Sequence, residues 1–212
     1  MRYDLDQLGS DSFEHLIQSL VRGIAGNSVA VFGDGPDGQR EAVIEEGKEY
    51  SINDTVTTHG RTIIQAKYKS PNTKTEDWTW LRNNLKDELE GFRGKALTHP
   101  DAVPETLLFF TNIVLTPVLN NGIHDKAEAF ISQYKDIIPQ IYVFGADDIQ
   151  VMLENNRDVA TCYAGFIMSG DILMELHQDM KEIKSGVSNS AIVFNQKAEK
   201  IVNIESVENL YI

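Results

Sequence analysis

One cysteine, Cys162, in 212 residues excludes a disulfide framework and a cysteine-based zinc site within one chain. Such usage fits a reducing cytoplasm, which is the expected compartment. No apolar run approaches the ~20 residues that a membrane-spanning helix needs. The opening Met-Arg-Tyr-Asp-Leu-Asp lacks the basic start and apolar stretch of a secretory signal, so no membrane partner is expected. The five histidines, His15, His59, His99, His124 and His177, show no metal-ligand spacing such as His-X3-His. Positive charge is also scarce. Nineteen Lys and Arg stand against 32 Asp and Glu, for a net charge of −13, so the broad basic footprint of a nucleic-acid binder is missing. What basic charge there is concentrates between Arg61 and Lys95. That stretch holds eight basic and five acidic residues, a local excess of three, and leaves the rest of the chain at −16.

The length allows one large domain, or a domain with appendages, and the 42% hydrophobic and 24% charged content is that of a globular protein. Phe13, Leu16, Ile17, Leu20 and Val21 follow helical spacing. Ser10 or Asp11 is the expected N-cap of that helix, and Gly23 and Gly26 its end. Short strands are expected at 28–32 and 41–45, a polar loop or hairpin over 47–60, and an interior β-branched strand over 62–68. A long helix over 77–97 carries Trp80, Leu81, Leu85 and Leu89 near one face. A buried strand within 105–115, a helix over 122–135, a strand at 141–144 and helices over 147–153, 158–166 and 171–184 complete an α/β alternation. The main domain is expected to span 1–185. Residues 186–212 are expected to be a linker or edge-strand segment leading toward a downstream domain: a polar linker at 186–190, then strand-prone pieces at 191–194 and 200–204 that either add to the sheet edge or begin something longer, too small to fold alone. The apolar ending Leu210-Tyr211-Ile212 points to the N-terminal part of a longer protein.

Two motifs carry the chemistry. The first is the turn Gly33-Asp34-Gly35-Pro36-Asp37-Gly38-Gln39-Arg40-Glu41-Ala42, and the second is the strand Ile63-Ile64-Gln65-Ala66-Lys67-Tyr68. Strand periodicity puts Gln65 and Lys67 on one face. If Glu41 ends a neighbouring strand, a carboxylate, an amide oxygen and an ammonium converge. Mg²⁺ takes such oxygen ligands, completed by water and phosphate oxygens. Phosphodiester hydrolysis uses a metal to activate water and gains from a lysine near the phosphate. Each piece has an ordinary explanation as well. Asp-Gly is a common turn, Gln-X-Lys can be polar decoration of an edge strand, and an acid such as Glu14 near a helix start answers the helix dipole. Trp78 and Trp80 could stack on bases, although core packing for Trp80 and partial exposure for Trp78 explain them as well.

Together, Phe13-Glu14-X-Leu16, Gly-Pro-Asp-Gly-X-Arg-Glu-Ala and Ile-Gln-Ala-Lys-Tyr resemble the Mrr-like branch of the PD-(D/E)XK nuclease superfamily, in which Gln often replaces the acid of the (D/E)XK element. The resemblance covers residues 10–70 by motif, and extends more loosely to about 180 through 107–112 and Asp147-Asp148-Ile149. It implies a restriction endonuclease-like α/β core, with a central mixed sheet that carries the site on one edge between flanking helices. It implies a metal-dependent DNA endonuclease using Mg²⁺, with Mn²⁺ as a substitute. Glu41 and Asp37 would be acidic ligands, Gln65 an oxygen ligand, Glu14 an added carboxylate and Lys67 the catalytic lysine. Lys69, Lys74, Arg82 and Arg40 are candidates for phosphate contacts. Gln39 stands where many relatives have a second glycine, and Glu41 where many have Asp, so whether Asp37 or Glu41 is the main ligand stays open. Such domains act as N-terminal effectors of bacterial antiphage STAND-type NTPases and in restriction systems. Defence and self-association, directly or through a downstream domain, are therefore implied. The competing expectations are a catalytically degenerate binding or assembly module of the same fold, and an unrelated nucleotide-binding α/β domain. Against the latter, Pro36 and the acids after it fit a pyrophosphate cradle poorly.

Overall fold

A computed structural model describes residues 3–26, 29–31, 42–44, 49–53, 55–58, 60–119 and 121–167. The first long element is helix α1 (Ser10–Ala25), whose Phe13, Leu16, Ile17, Leu20 and Val21 are all buried. Their three- and four-residue spacing produces a single apolar stripe. The cap differs from the sequence expectation. Gly9 is the N-cap and supplies no side chain, while Ser10 and Asp11 lie inside the first turn, where the Asp11 carboxylate favours the positive end of the helix. Gly26 alone ends the helix, at a φ of 68° that glycine adopts without a Cβ penalty. Gly23 stays helical.

Strands β1 (Val29–Val31) and β2 (Ala42–Ile44) follow, then a small hairpin of β3 (Tyr50–Ser51) and β4 (Thr57–Thr58). Next come β5 (Thr62–Lys67), helix α2 (Asp77–Thr98), β6 (Thr106–Thr111), helix α3 (Ile123–Ile131) and β7 (Gln140–Phe144). Helices α4 (Ala146–Asn155) and α5 (Arg157–Ile167) close the described chain. The expected helix at 171–184, the pieces at 191–194 and 200–204, and the boundary at 185 lie outside the described residues.

The main sheet runs β1-β2-β5-β6-β7. β2 is antiparallel to both neighbours, while β5, β6 and β7 are mutually parallel. The result is a central mixed sheet flanked by helices on both faces. Parallel strands covered on both faces are apolar throughout, and β6 is buried at all six positions. On one face Ile64, Ala66, Leu108 and Phe110 pack with α1, α4 and α5; on the other Val43, Ile63, Leu107 and Phe109 pack with α2 and α3.

Phe110 is fully buried and stacks on Phe144 with ring centroids 4.8 Å apart. Truncating a buried phenylalanine removes its burial and leaves a cavity, so Phe110→Ala is expected to cost ~3–5 kcal/mol. A urea unfolding curve checks this, and a loss below about 1 kcal/mol on that curve would mean the position collapses freely.

Candidate active site

β5 is the third of five strands. The Gln-X-Lys segment therefore sits in the middle of the sheet, which overturns both the placement of the site at a sheet edge and the edge-decoration explanation. Gln65 is fully buried. Alternation sends Ile63, Gln65 and Lys67 toward α2, and the same helix meets both polar residues. Gln65 Nε2 donates to Glu88 Oε2 at 3.1 Å. Lys67 Nζ lies 3.2 Å from Glu88 Oε1. Gln65 and Lys67 thus share one face, as strand periodicity requires, and a third residue spans them.

Glu88 is only 4% exposed. It lies on the buried face of α2 with Leu81, Leu85, Leu89 and Phe92. A carboxylate moved out of water costs several kcal/mol unless paired and hydrogen-bonded, and here each oxygen has a partner. The Lys67 side chain keeps 28% exposure. Polarity therefore runs from a buried amide and carboxylate to a partly exposed lysine side chain at the C-terminal end of β5. In open α/β sheets, the carboxyl ends of parallel strands are where ligands bind.

The chain leaving β5 is clamped by Asn112, which follows β6. Lys69 N donates to Asn112 Oδ1 at 2.7 Å, and Asn112 Nδ2 donates back to the Lys69 carbonyl at 3.0 Å and to Asp6 Oδ1 at 2.8 Å. Tyr68 adds a bond from its hydroxyl to the Asp6 carbonyl at 2.8 Å. Burial, then the charges of Asp6 and Asp4, push the Tyr68 phenol above its ordinary value. A raised phenol pKa favours the neutral form in the fold. That contribution is complete below the unfolded tyrosine value of ~10 and is lost as pH climbs through the higher folded value. Tyr68→Phe is accordingly expected to lose less stability than the parent on moving from about pH 8 to strongly alkaline solution. Urea midpoints at the two pH values test it, and equal losses would count against it.

The remaining predicted site residues are spread out. Glu14 is half-buried on α1, in the layer across the sheet from α2. Asp37, Arg40 and Glu41 lie outside the described residues. Ala42, the residue after Glu41, pairs with Ile64, the residue before Gln65. Lys69 forms an ion pair with Asp77 at the start of α2. Lys74 and Arg82 are exposed. Trp78 is half-buried, with its ring edge-on to Phe130 of α3 at 6.4 Å, and Trp80 packs at the margin of the α2-side core.

Among the described residues, no three or more His, Cys, Asp or Glu gather into a metal-binding group. The described oxygen donor is the Gln65 amide oxygen, since both Glu88 oxygens already accept from Gln65 and Lys67; a neutral hard oxygen of this kind is one Mg²⁺ takes, and carboxylates beside it would complete such a site. The donor chemistry fits. No helix among the described residues is long and apolar enough to cross a membrane.

Sequence reasoning missed Glu88 and treated it only as a charge opposing the basic stretch. A signal was present, because Leu81, Leu85, Glu88 and Phe92 recur at helical spacing, which places an acid inside an apolar stripe. Asn112 carried no comparable signal, since its role depends on two strand ends meeting. Comparison with family models, characterised proteins and solved structures yields no match.

Proposed function

We propose that this chain is a metal-dependent DNA endonuclease domain with a restriction endonuclease-like core of the Mrr-like kind, working as an effector in bacterial antiviral defence. The observation that carries the reading is the joint engagement of Gln65 and Lys67 by the buried Glu88 at the end of the central strand. Buried polar groups at a strand end, grading into a partly exposed lysine, are an arrangement that core packing does not call for.

In this reading Mg²⁺ is held by Gln65 with Glu41 or Asp37 and supplies water activation and charge neutralisation when bound. Lys67 presents its ammonium to the phosphate, where it stabilises the charge that develops on the non-bridging oxygens. Lys69, at the start of the connection into α2, is the nearest further cation along the chain for the DNA backbone. Self-association would place two sites on two strands.

Plasmid cleavage is the test. Supercoiled DNA incubated with the protein and Mg²⁺ or Mn²⁺ is expected to be nicked, and nicking should stop with a chelator. Because the net charge is −13, binding of the isolated chain to DNA should be weak and fall steeply with salt. Binding that persists unchanged at high salt would contradict the reading.

A second reading is a nucleic-acid-binding or assembly module of the same fold without catalysis. The pairing of Lys67 with Glu88 and of Lys69 with Asp77 favours it, because both ammonium groups already face a carboxylate. Metal binding lost in Glu41→Ala would argue against this second reading.

A further inference from the structure

We infer that Glu88 is a positioning residue that sets which atom of Gln65 is presented to a ligand and where the Lys67 ammonium stands; the inference rests on the metal-site reading above. A side-chain amide has two flips of almost the same shape, one presenting oxygen and the other presenting N–H₂. An ionised carboxylate can only accept hydrogen bonds, so the amide nitrogen must be the atom 3.1 Å from Glu88 Oε2. The opposite flip would set two acceptor oxygens against each other in a buried place. Glu88 therefore turns the Gln65 oxygen away from its own carboxylate. A cation approaching from that side meets an acceptor rather than a donor.

The second oxygen of the same carboxylate acts on Lys67. Lysine is a point charge on a flexible four-carbon stem, and without an anchor it samples many positions. Glu88 Oε1, 3.2 Å from Nζ, restrains it at the strand end while leaving the side chain partly open to solvent. One buried carboxylate thus fixes two groups, much as outer-shell acids orient metal ligands elsewhere.

Packing alone does not explain this residue. A leucine at position 88 would continue the stripe of Leu81, Leu85, Leu89 and Phe92. Replacing buried ion pairs by apolar side chains of similar volume is often neutral or stabilising. The carboxylate does something leucine cannot, which is to discriminate between the two faces of an amide.

The experiment is calorimetric titration of Mn²⁺ into the full chain, comparing the parent with Glu88→Gln and with the exchange double variant Gln65→Glu/Glu88→Gln. Glu88→Gln keeps size and hydrogen-bonding capacity but no longer dictates the flip. Mn²⁺ affinity is expected to drop ~10–100-fold, the range seen when an outer-shell partner is removed, with circular dichroism and the thermal transition showing a retained fold. In the double variant the amide and the carboxylate trade places. The amide now on α2 donates to the carboxylate now on β5, whose two oxygens are equivalent, so orientation no longer matters and the net charge is restored. With a carboxylate in the ligand position, affinity should reach or exceed that of the parent. An unchanged affinity in Glu88→Gln would reduce Glu88 to a packing residue and overturn the inference. So would a double variant no better than the single one, since a carboxylate at position 65 that adds nothing would show that this position does not face the ion.

If the folded parent takes up no Mn²⁺, the metal reading fails, and the positioning role is decided separately by NMR. The Gln65 side-chain N–H₂ signals should exchange slowly in the parent and quickly in Glu88→Ala, or in Glu88→Gln if the alanine variant does not fold. Identical exchange in parent and variant overturns the positioning role whatever the metal result.

Discussion

Lys67→Ala should lower metal-dependent plasmid nicking by ~10²–10³-fold, the usual loss when one preorganised group facing developing charge is removed. The expectation follows from geometry. Lys67 is the polar member of its cluster that reaches solvent, and its ammonium is held 3.2 Å from a buried carboxylate. Its removal leaves Glu88 with the Gln65 amide as its remaining described partner, so stability should fall too. Breaking a fully buried pair costs ~3–5 kcal/mol, and the partial exposure of Lys67 places the expected loss at or below the lower end. Nicking rates must therefore be read beside a urea titration at the same temperature. Lys67→Arg separates charge from shape. It keeps the cation but replaces a point charge with a planar fork, so stability should recover more than activity. An alanine variant that stays folded and nicks DNA at the parental rate would remove Lys67 from the site.

Gln65→Glu is expected to produce the largest pH effect. It sets a second carboxylate against Glu88 across a buried contact that is 3.1 Å long in the parent. Two carboxylates at that separation do not both ionise readily, so one should have its folded pKa raised above its unfolded value. The sign is then determined. The protonated pair shares a hydrogen bond and is well accommodated below the unfolded glutamate value of ~4.3, and stability is lost as pH rises through the folded pKa. The destabilisation relative to the parent should therefore be larger at neutral pH than in acid. Unfolding midpoints of the variant should therefore fall, relative to the parent, between about pH 4 and pH 8. Parallel pH profiles for the two proteins would show that the introduced carboxylate does not meet Glu88, or that the neighbouring Lys67 ammonium cancels their repulsion. Adding Glu88→Gln to this variant should abolish the excess pH dependence, because only one carboxylate remains.

Much of the architecture was legible because it rests on local patterns. The spacing of Phe13, Leu16, Ile17, Leu20 and Val21 foretold α1 and its buried face, and the apolar run Leu107-Leu108-Phe109-Phe110 foretold a buried strand. The common face of Gln65 and Lys67 needed nothing beyond the two-residue period of a strand. The cap of α1 was misjudged because Gly9 begins the helix without a side-chain cap, where a polar residue was expected. The acids of the glycine-rich turn, Asp37 and Glu41, lie outside the described residues.

The sequence by itself determined the α/β alternation, the helix and strand faces, and the pairing of Gln65 with Lys67 on one side of β5, since each depends on residues close along the chain. Only the tertiary structure decided that β5 lies at the centre of the sheet and that Glu88, 23 residues beyond Gln65, meets its amide. It likewise decided that Asn112 ties Lys69 to Asp6 from 106 residues past that aspartate. The reason is physical. Strand order and helix crossover are set by which apolar faces bury one another. A polar residue acquires its partner only when those faces have met, and the burial that makes the partner necessary is created by the same event.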